Sequence, residues 1–299
     1  MKVIGIDPEK CIECKECIKV CPSKLFLKEK EGDDTENSVS FSNPHSLCVR
    51  CGHCIAICPT EAIIYEEAEP PFTFEGTTKI PKIVPYDDLL KILRMRRSIR
   101  VYQDKPVPRE KIEKVLETMR YAPSASNRQA WRYVVLTDKK EIAYFSDETM
   151  KLFKRIKRLL PFRYLIAPFL PKTLRRRALN PKVKIQVEKV LKEQQEGEDP
   201  IFFKAPCVII LYSRDYGKGL PANDAGVAFT YGMLAAQALG LGSCWIGFAQ
   251  QAMQRNRGLR KHFKIPKGYK VWGVLALGIP EVNYKRGPPR RPLRVRWIE

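Results

Sequence analysis

Cys11-Ile-Glu-Cys14-Lys-Glu-Cys17-Ile-Lys-Val-Cys21-Pro22 returns, 37 residues on, as Cys48-Val-Arg-Cys51-Gly-His-Cys54-Ile-Ala-Ile-Cys58-Pro59. Each copy reads Cys-x2-Cys-x2-Cys-x3-Cys-Pro. Three thiolates at that spacing wrap one iron–sulfur cubane in a tight loop, and the fourth, on the following turn, reaches a second cluster. Structural zinc instead takes two separated Cys-x2-Cys pairs. Two 4Fe-4S clusters, and hence electron transfer, are the reading. The constant offset makes the segment an internal duplication. Ile12, Ile18, Val20, Ile55 and Ile57 stand between the ligands, where they would pack around the clusters and limit water. Lys28 to Ser40, rich in Glu, Asp, Gly and Asn, reads as an exposed loop between the halves. His45 and His53 are given no role.

These motifs resemble the bacterial two-cluster ferredoxins over residues 1–68. The resemblance implies that Cys11, Cys14, Cys17 and Cys58 hold one cluster, and Cys48, Cys51, Cys54 and Cys21 the other.

At 299 residues the chain has room for such a module and one larger domain. Four prolines between residues 69 and 85 mark an extended linker. The start does not read as a signal peptide. The apolar patch 159–170 is too short and too broken to span a bilayer, and cluster ligands need a reducing compartment. A cytoplasmic location is expected, with membrane association as an option. The net charge of +21 is uneven: residues 1–68 carry 8 Lys/Arg against 12 Asp/Glu, the remainder 46 against 21. Opposite signs would favour docking of the two parts and steer an acidic carrier protein to the basic one.

From Tyr86 the text changes. Asp87-Asp88 and the apolar spacing after them predict a helix that leads into Arg96-Arg97-Ser98-Ile99-Arg100, a cation cluster with a hydroxyl that suits a phosphate. Tyr121-Ala-Pro123-Ser124-Ala125-Ser126-Asn127-Arg128-Gln129 is a polar loop that ends a helix and opens a strand. Asn223-Asp224-Ala225-Gly226 starts a long apolar helix, with Gly240 and Gly242 as its C-cap and turn before Cys244-Trp245-Ile246-Gly247. No Gly-x-Gly-x-x-Gly, phosphate-binding Gly-Lys loop or Gly-x-Ser-x-Gly occurs, which argues against a Rossmann nicotinamide domain. Cys207 and Cys244, with no His or carboxylate beside them, read as core. His262 reads as surface.

In this order the motifs resemble the FMN-dependent nitroreductase family over residues 86–299. The resemblance implies a homodimer with FMN at the interface. Arg96, Arg97 and Ser98 would hold the FMN phosphate and ribityl chain, and Arg100 would sit near N1 and O2 of the isoalloxazine. Pro123, Ser124, Ala125, Ser126 and Asn127 would approach from the partner subunit. Ile246 and Gly247 would lie along the N5 edge with a backbone N–H toward N5, and Arg286 or, second, Arg290 would return to the phosphate. A cation near N1 and O2 favours the reduced flavin, which makes Arg100 the catalytic candidate. Water, Arg100 or Tyr164 would supply protons.

Residues 151–192 hold 14 Lys/Arg and one Glu. Leu152, Phe153, Ile156, Leu159 and Leu160 fall at helical spacing between the cations. In the resembled family this region covers the flavin, so a lid is expected. A helix lying on a membrane surface is the second reading, and nucleic-acid binding, with no recognised module, the third.

The expected fold is α+β: a ferredoxin-like two-cluster domain at 1–68, a linker at 69–85 and a nitroreductase-like domain at 86–299, with a basic insertion or lid at 151–196. The expected function is an FMN-dependent oxidoreductase. It would pass electrons from a low-potential donor, ferredoxin or a nicotinamide nucleotide, through two 4Fe-4S clusters to FMN and then to a small organic acceptor such as a nitroaromatic or quinone. The alternative is a non-catalytic electron-transfer adaptor between a soluble donor and a protein or membrane acceptor.

Overall fold

The duplicated cysteine spacing carries a duplicated set of elements. In the computed structural model, which describes residues 1–30, 37–72, 74, 83–217 and 220–299, α1 (Glu16–Val20) and α2 (His53–Ile57) lie 37 residues apart. Each follows a left-handed residue, Lys15 (φ 63°) or Gly52 (φ 76°), that turns the chain back around its cysteines. The strands are exchanged between the halves. β1 (Lys2–Ile6) pairs antiparallel with β4 (Ile63–Glu66), and β2 (Phe26–Lys30) with β3 (Asn37–Phe41). Val3, Phe26, Val39, Cys54 and Ile63 form the small apolar core beneath them.

The expected loop over Lys28 to Ser40 is corrected here, because its two ends are the strands β2 and β3, joined from Lys30↔Asn37 to Phe26↔Phe41. The hairpin buries Phe26 and Val39 and exposes Lys28. Composition reported a loop and hid the pairing. Residues 31–36, and residues 73 and 75–82 of the expected linker, lie outside the described residues.

Two compact units result: Met1–Pro85 with Ser124–Gln129, and Tyr86–Pro123 with Ala130–Glu299. In the second, α3 (Tyr86–Met95) and α4 (Arg109–Arg120) precede β5 (Arg132–Leu136). Then come α5 (Lys139–Leu159), α6 (Arg163–Ile166), α7 (Lys172–Ala178), α8 (Pro181–Gln195) and β6 (Cys207–Arg214). The chain continues through α9 (Leu220–Ala238), β7 (Gly242–Trp245), α10 (Gly247–Arg255), α11 (Arg257–His262) and β8 (Tyr269–Gly278). The strands form one antiparallel sheet in the order β5-β6-β8-β7.

Both faces of that sheet are covered, so its inner strands run apolar over residues 207–211 and 271–277. Val208 and Ile210 pack with Phe145 and Phe153 of α5, Leu191 of α8 and Met253 of α10. Cys207, Ile209 and Leu211 face the other way, toward Val115 and Met119 of α4 and Phe229 of α9. Helix ends follow local rules. Asp138 accepts from the Lys140 and Glu141 N–H groups at the start of α5, and Asn180 caps α8 ahead of Pro181. At the end of α9, Gly240 (φ 74°) donates to Gln237 O and Leu241 to Ala236 O, a Schellman motif that only a residue free to enter the left-handed region closes cheaply.

Candidate functional site

The first unit contains two cavities whose walls are the cysteines. One is lined by Cys11, Cys14, Cys17 and Cys58. The other is lined by Cys21, Cys48, Cys51 and Cys54. The fourth cysteine of each half therefore crosses to the other half's cavity, as the ferredoxin resemblance implies. Among the described residues no three His, Cys, Asp or Glu side chains converge on a single ion position. The sulfurs surround a space, which suits a polynuclear cluster better than a zinc ion.

Backbone donors repeat with the same offset. Leu25 N–H reaches Cys21 Sγ at 3.4 Å and Ala62 N–H reaches Cys58 Sγ at 3.2 Å. Such bonds help set a cluster's potential. Burial pushes the Cys54 thiol up to about 11 and raises that of Cys17. For Cys58 burial also raises, but N–H groups of Ala62 and Thr60 and the Thr60 hydroxyl outweigh it and bring the thiol down.

Ser124–Gln129 belongs to this same unit. Ser126, Asn127 and Gln129 are left-handed although none is glycine. Gln129 N–H donates to Ser124 Oγ at 3.0 Å, and Asn127 Nδ2 donates to the carbonyl of Arg50, between Cys48 and Cys51.

The Arg96–Arg100 run lies in the second unit, along β7. Ser98 bridges Ser243 in parallel, and Ile99 N–H donates to Ser243 O at 3.0 Å. Gly242 permits the approach, since a Cβ there would lie 2.8 Å from three atoms of Ile99. Tyr102 Oη donates to Ile99 O at 2.7 Å and holds the run from its far end. Cys244 stands among these groups. Burial raises its thiol against the pull of Arg100, Ser98 and Arg96. Ser98 and Arg100 are exposed, and Arg96 is half-buried.

Arg97 is engaged by backbone carbonyls. Its Nη1 donates to the carbonyls of Arg94 and Arg96, and Nη2 to that of Arg286 at 3.2 Å. It pins the C-terminal segment at the carbonyl of Arg286 beside the run. Arg290 lies further along the exposed C-terminal segment. Ile246 N–H is taken by Val274 O at 2.8 Å, and Gly247 stands at the first position of α10, where a helix leaves the backbone N–H without an intrahelical acceptor. Pro123 closes the α4 side of the loop, and Ser124, Ala125, Ser126 and Asn127 fall in the first unit. Tyr164 is exposed, with Arg163 donating to its Oη.

Sequence reasoning missed Gly242 as a site of close approach, because it read as part of a turn. It also missed Phe203, whose ring lies 5.7 Å from the Arg100 guanidinium. Only the fold brings that pair together. Cys207 and Cys244 are buried in the two apolar clusters as expected.

The nitroreductase family matches residues 93–279, and the 4Fe-4S dicluster domain matches residues 10–63. A protein of Archaeoglobus fulgidus named as an NADH dehydrogenase/NAD(P)H nitroreductase is 28% identical over 195 residues, 65% of this chain and 87% of its own. Among solved structures, a nitroreductase with bound FMN from Desulfitobacterium hafniense is 21% identical, with a TM-score of 0.53 over 70% of this chain and 97% of its own. One from Bacteroides fragilis, also with bound FMN, is 22% identical with a TM-score of 0.51 over 71% and 99%. At these identities the two structures establish the fold.

Proposed function

We propose that this chain, which belongs to the nitroreductase family and carries a 4Fe-4S dicluster domain ahead of it, is an iron–sulfur flavoprotein oxidoreductase. It takes electrons from a low-potential donor, reduced ferredoxin or a nicotinamide nucleotide, and delivers them through FMN to a small organic acceptor such as a nitroaromatic or a quinone. When bound, the clusters supply single-electron storage and FMN couples single-electron to two-electron chemistry. The observation that carries the reading is the presence, in one chain, of two crossed four-cysteine cavities and of an arginine–serine run along β7.

The residues of that run fit a flavin nucleotide. Among the described residues no carboxylate is paired with Arg96 or Arg100, which leaves their charge open to an anion, while Arg97 is engaged by backbone carbonyls. Arg96 and Ser98 would hold the phosphate, with Arg286 brought in by the Arg97 clamp. Arg100 would place its charge where the reduced ring system becomes anionic, and the Gly247 N–H would orient the opposite edge. Buried Ile99, Tyr102 and Ile246 fix these groups against the sheet.

A homodimer belongs to the same reading. Helix α3 buries none of its residues and exposes Leu89, Ile92, Leu93 and Met95. Leu293, Val295, Trp297 and Ile298 of the C-terminal segment are exposed as well. A second copy would cover both.

Anaerobic stopped-flow of the reconstituted protein tests the function, mixing it separately with reduced ferredoxin, NADH and NADPH while following cluster and flavin absorbance. Cluster reduction followed by flavin reduction, and reoxidation by a nitroaromatic or quinone, is expected with one donor. Clusters that reduce while bound flavin stays oxidised with every donor would sink the reading.

A further inference from the structure

The apolar stripe of the basic segment is not what faces outward. Phe153 is buried, and Ile156 and Leu160 pack on the same core beneath the sheet. What remains uncovered is the short-helix stretch that follows. There Leu159, Phe162, Tyr164, Leu165 and Phe169 are all more than half exposed, with Leu165 at 72% and Phe169 at 87%. Two 3-10 turns, Leu160–Phe162 and Ala167–Phe169, flank α6 and give the stretch a fixed shape. Arg175 ties it down by donating to the carbonyls of Pro168 and Leu170.

Around that tip the charge has one sign. Residues 151–187 contain 12 Lys/Arg and no Asp or Glu. Lys154, Arg155, Lys157 and Arg158 of α5 and Lys172 and Arg176 of α7 are exposed on either side of it. We infer that residues 159–169 are a docking tip that seats its apolar side chains in an anionic lipid surface, with the flanking cations against the headgroups.

Charge complementarity selects this occupant. A second copy would bring the same cations against themselves. A nucleic acid would satisfy the cations but leave Leu159, Leu165 and Phe169 in water. An anionic bilayer surface meets both needs, since amphipathic elements seat apolar groups at the headgroup boundary and draw basic flanks to acidic lipid. Contact is peripheral, because among the described residues no helix is long and apolar enough to cross a membrane.

Co-sedimentation of the holoprotein with phosphatidylglycerol–phosphatidylcholine vesicles, pure phosphatidylcholine vesicles and a DNA duplex tests the inference. Binding to the anionic vesicles alone is expected, and it should weaken as salt rises. The double variant Leu165→Glu/Phe169→Glu should lower vesicle partitioning by about tenfold or more. Its thermal midpoint and its rate with a soluble acceptor should stay unchanged. Full vesicle binding by the double variant would overturn the seated tip. So would preference for DNA over vesicles, or loss of soluble turnover with vesicle binding intact, which would make the stretch a lid.

Discussion

Cysteine marks both units of the molecule and means opposite things in them. In the first, eight cysteines line two cavities and, among the described residues, the buried apolar cluster beneath them is small and includes Cys54, itself a cavity wall. In the second, Cys207 and Cys244 are buried filler between a four-stranded sheet and its helices. A core as small as the first unit's is marginal by itself, and bound metal commonly supplies what is missing. The second unit needs no such help to bury its apolar side chains. The comparison teaches that the first fold is held by its ligands and the second by its packing.

The sharpest way to break that contrast is to remove a ligand. Cys54→Ser should abolish the cluster of the second cavity and unfold the first unit, because it strikes ligand set and core together. The expected record is loss of iron and sulfide, loss of amide protection in β1 to β4, and a thermal transition of the second unit that stays cooperative. Protected amides in β1 to β4 without the cluster would show that packing alone suffices there.

The matching change in the second unit is Phe229→Ala. The ring is fully buried and packs edge-on to Trp245 at 4.7 Å. Deleting it should cost about 3–5 kcal/mol of stability, read by denaturant unfolding of the holoprotein, with iron content unchanged. Coupled loss of iron would mean that the two units do not keep separate accounts.

Next in size is Arg100→Ala. Its charge pulls against the burial that raises the Cys244 thiol, and its guanidinium lies against the Phe203 ring, yet no carboxylate partners it among the described residues. On the reading above, turnover should fall on the order of a hundredfold and the flavin's potential should drop, with folding intact. Unchanged values for both would leave the cation a purely structural group.

What the sequence made legible follows the same division. The cysteine cavities were readable because ligand spacing is a local code, and the crossing of the fourth cysteine comes with it. The Gly240 cap and the helix that leads into the Arg96–Arg100 run were also local. The β2–β3 hairpin was not, since the Glu, Asp and Asn of that stretch read as loop composition and the pairing needs a partner strand. Nor was the Arg97 clamp on the carbonyl of Arg286, which joins residues 189 positions apart. The loop Ser124–Gln129 was seen as a loop, but its three left-handed residues carry no glycine to announce them, and its bond to Arg50 O is tertiary.

The smallest effect expected has the opposite sign. Among the described residues nothing hydrogen-bonds the buried Tyr133 Oη on β5, and burial pushes the phenol up in pKa. A hydroxyl in that position has lost its water and gained nothing in return, so its removal should help. Tyr133→Phe keeps the ring against the α4–α9 side of the sheet and should stabilise the second unit by about 1 kcal/mol, raising its thermal midpoint by a few degrees. If packing governs this unit as the contrast requires, the gain appears with cluster content and flavin reduction unaltered. A loss of stability would instead mean that the hydroxyl is satisfied in the working assembly, by ordered water or a second copy, and that the second unit also leans on something outside its own core.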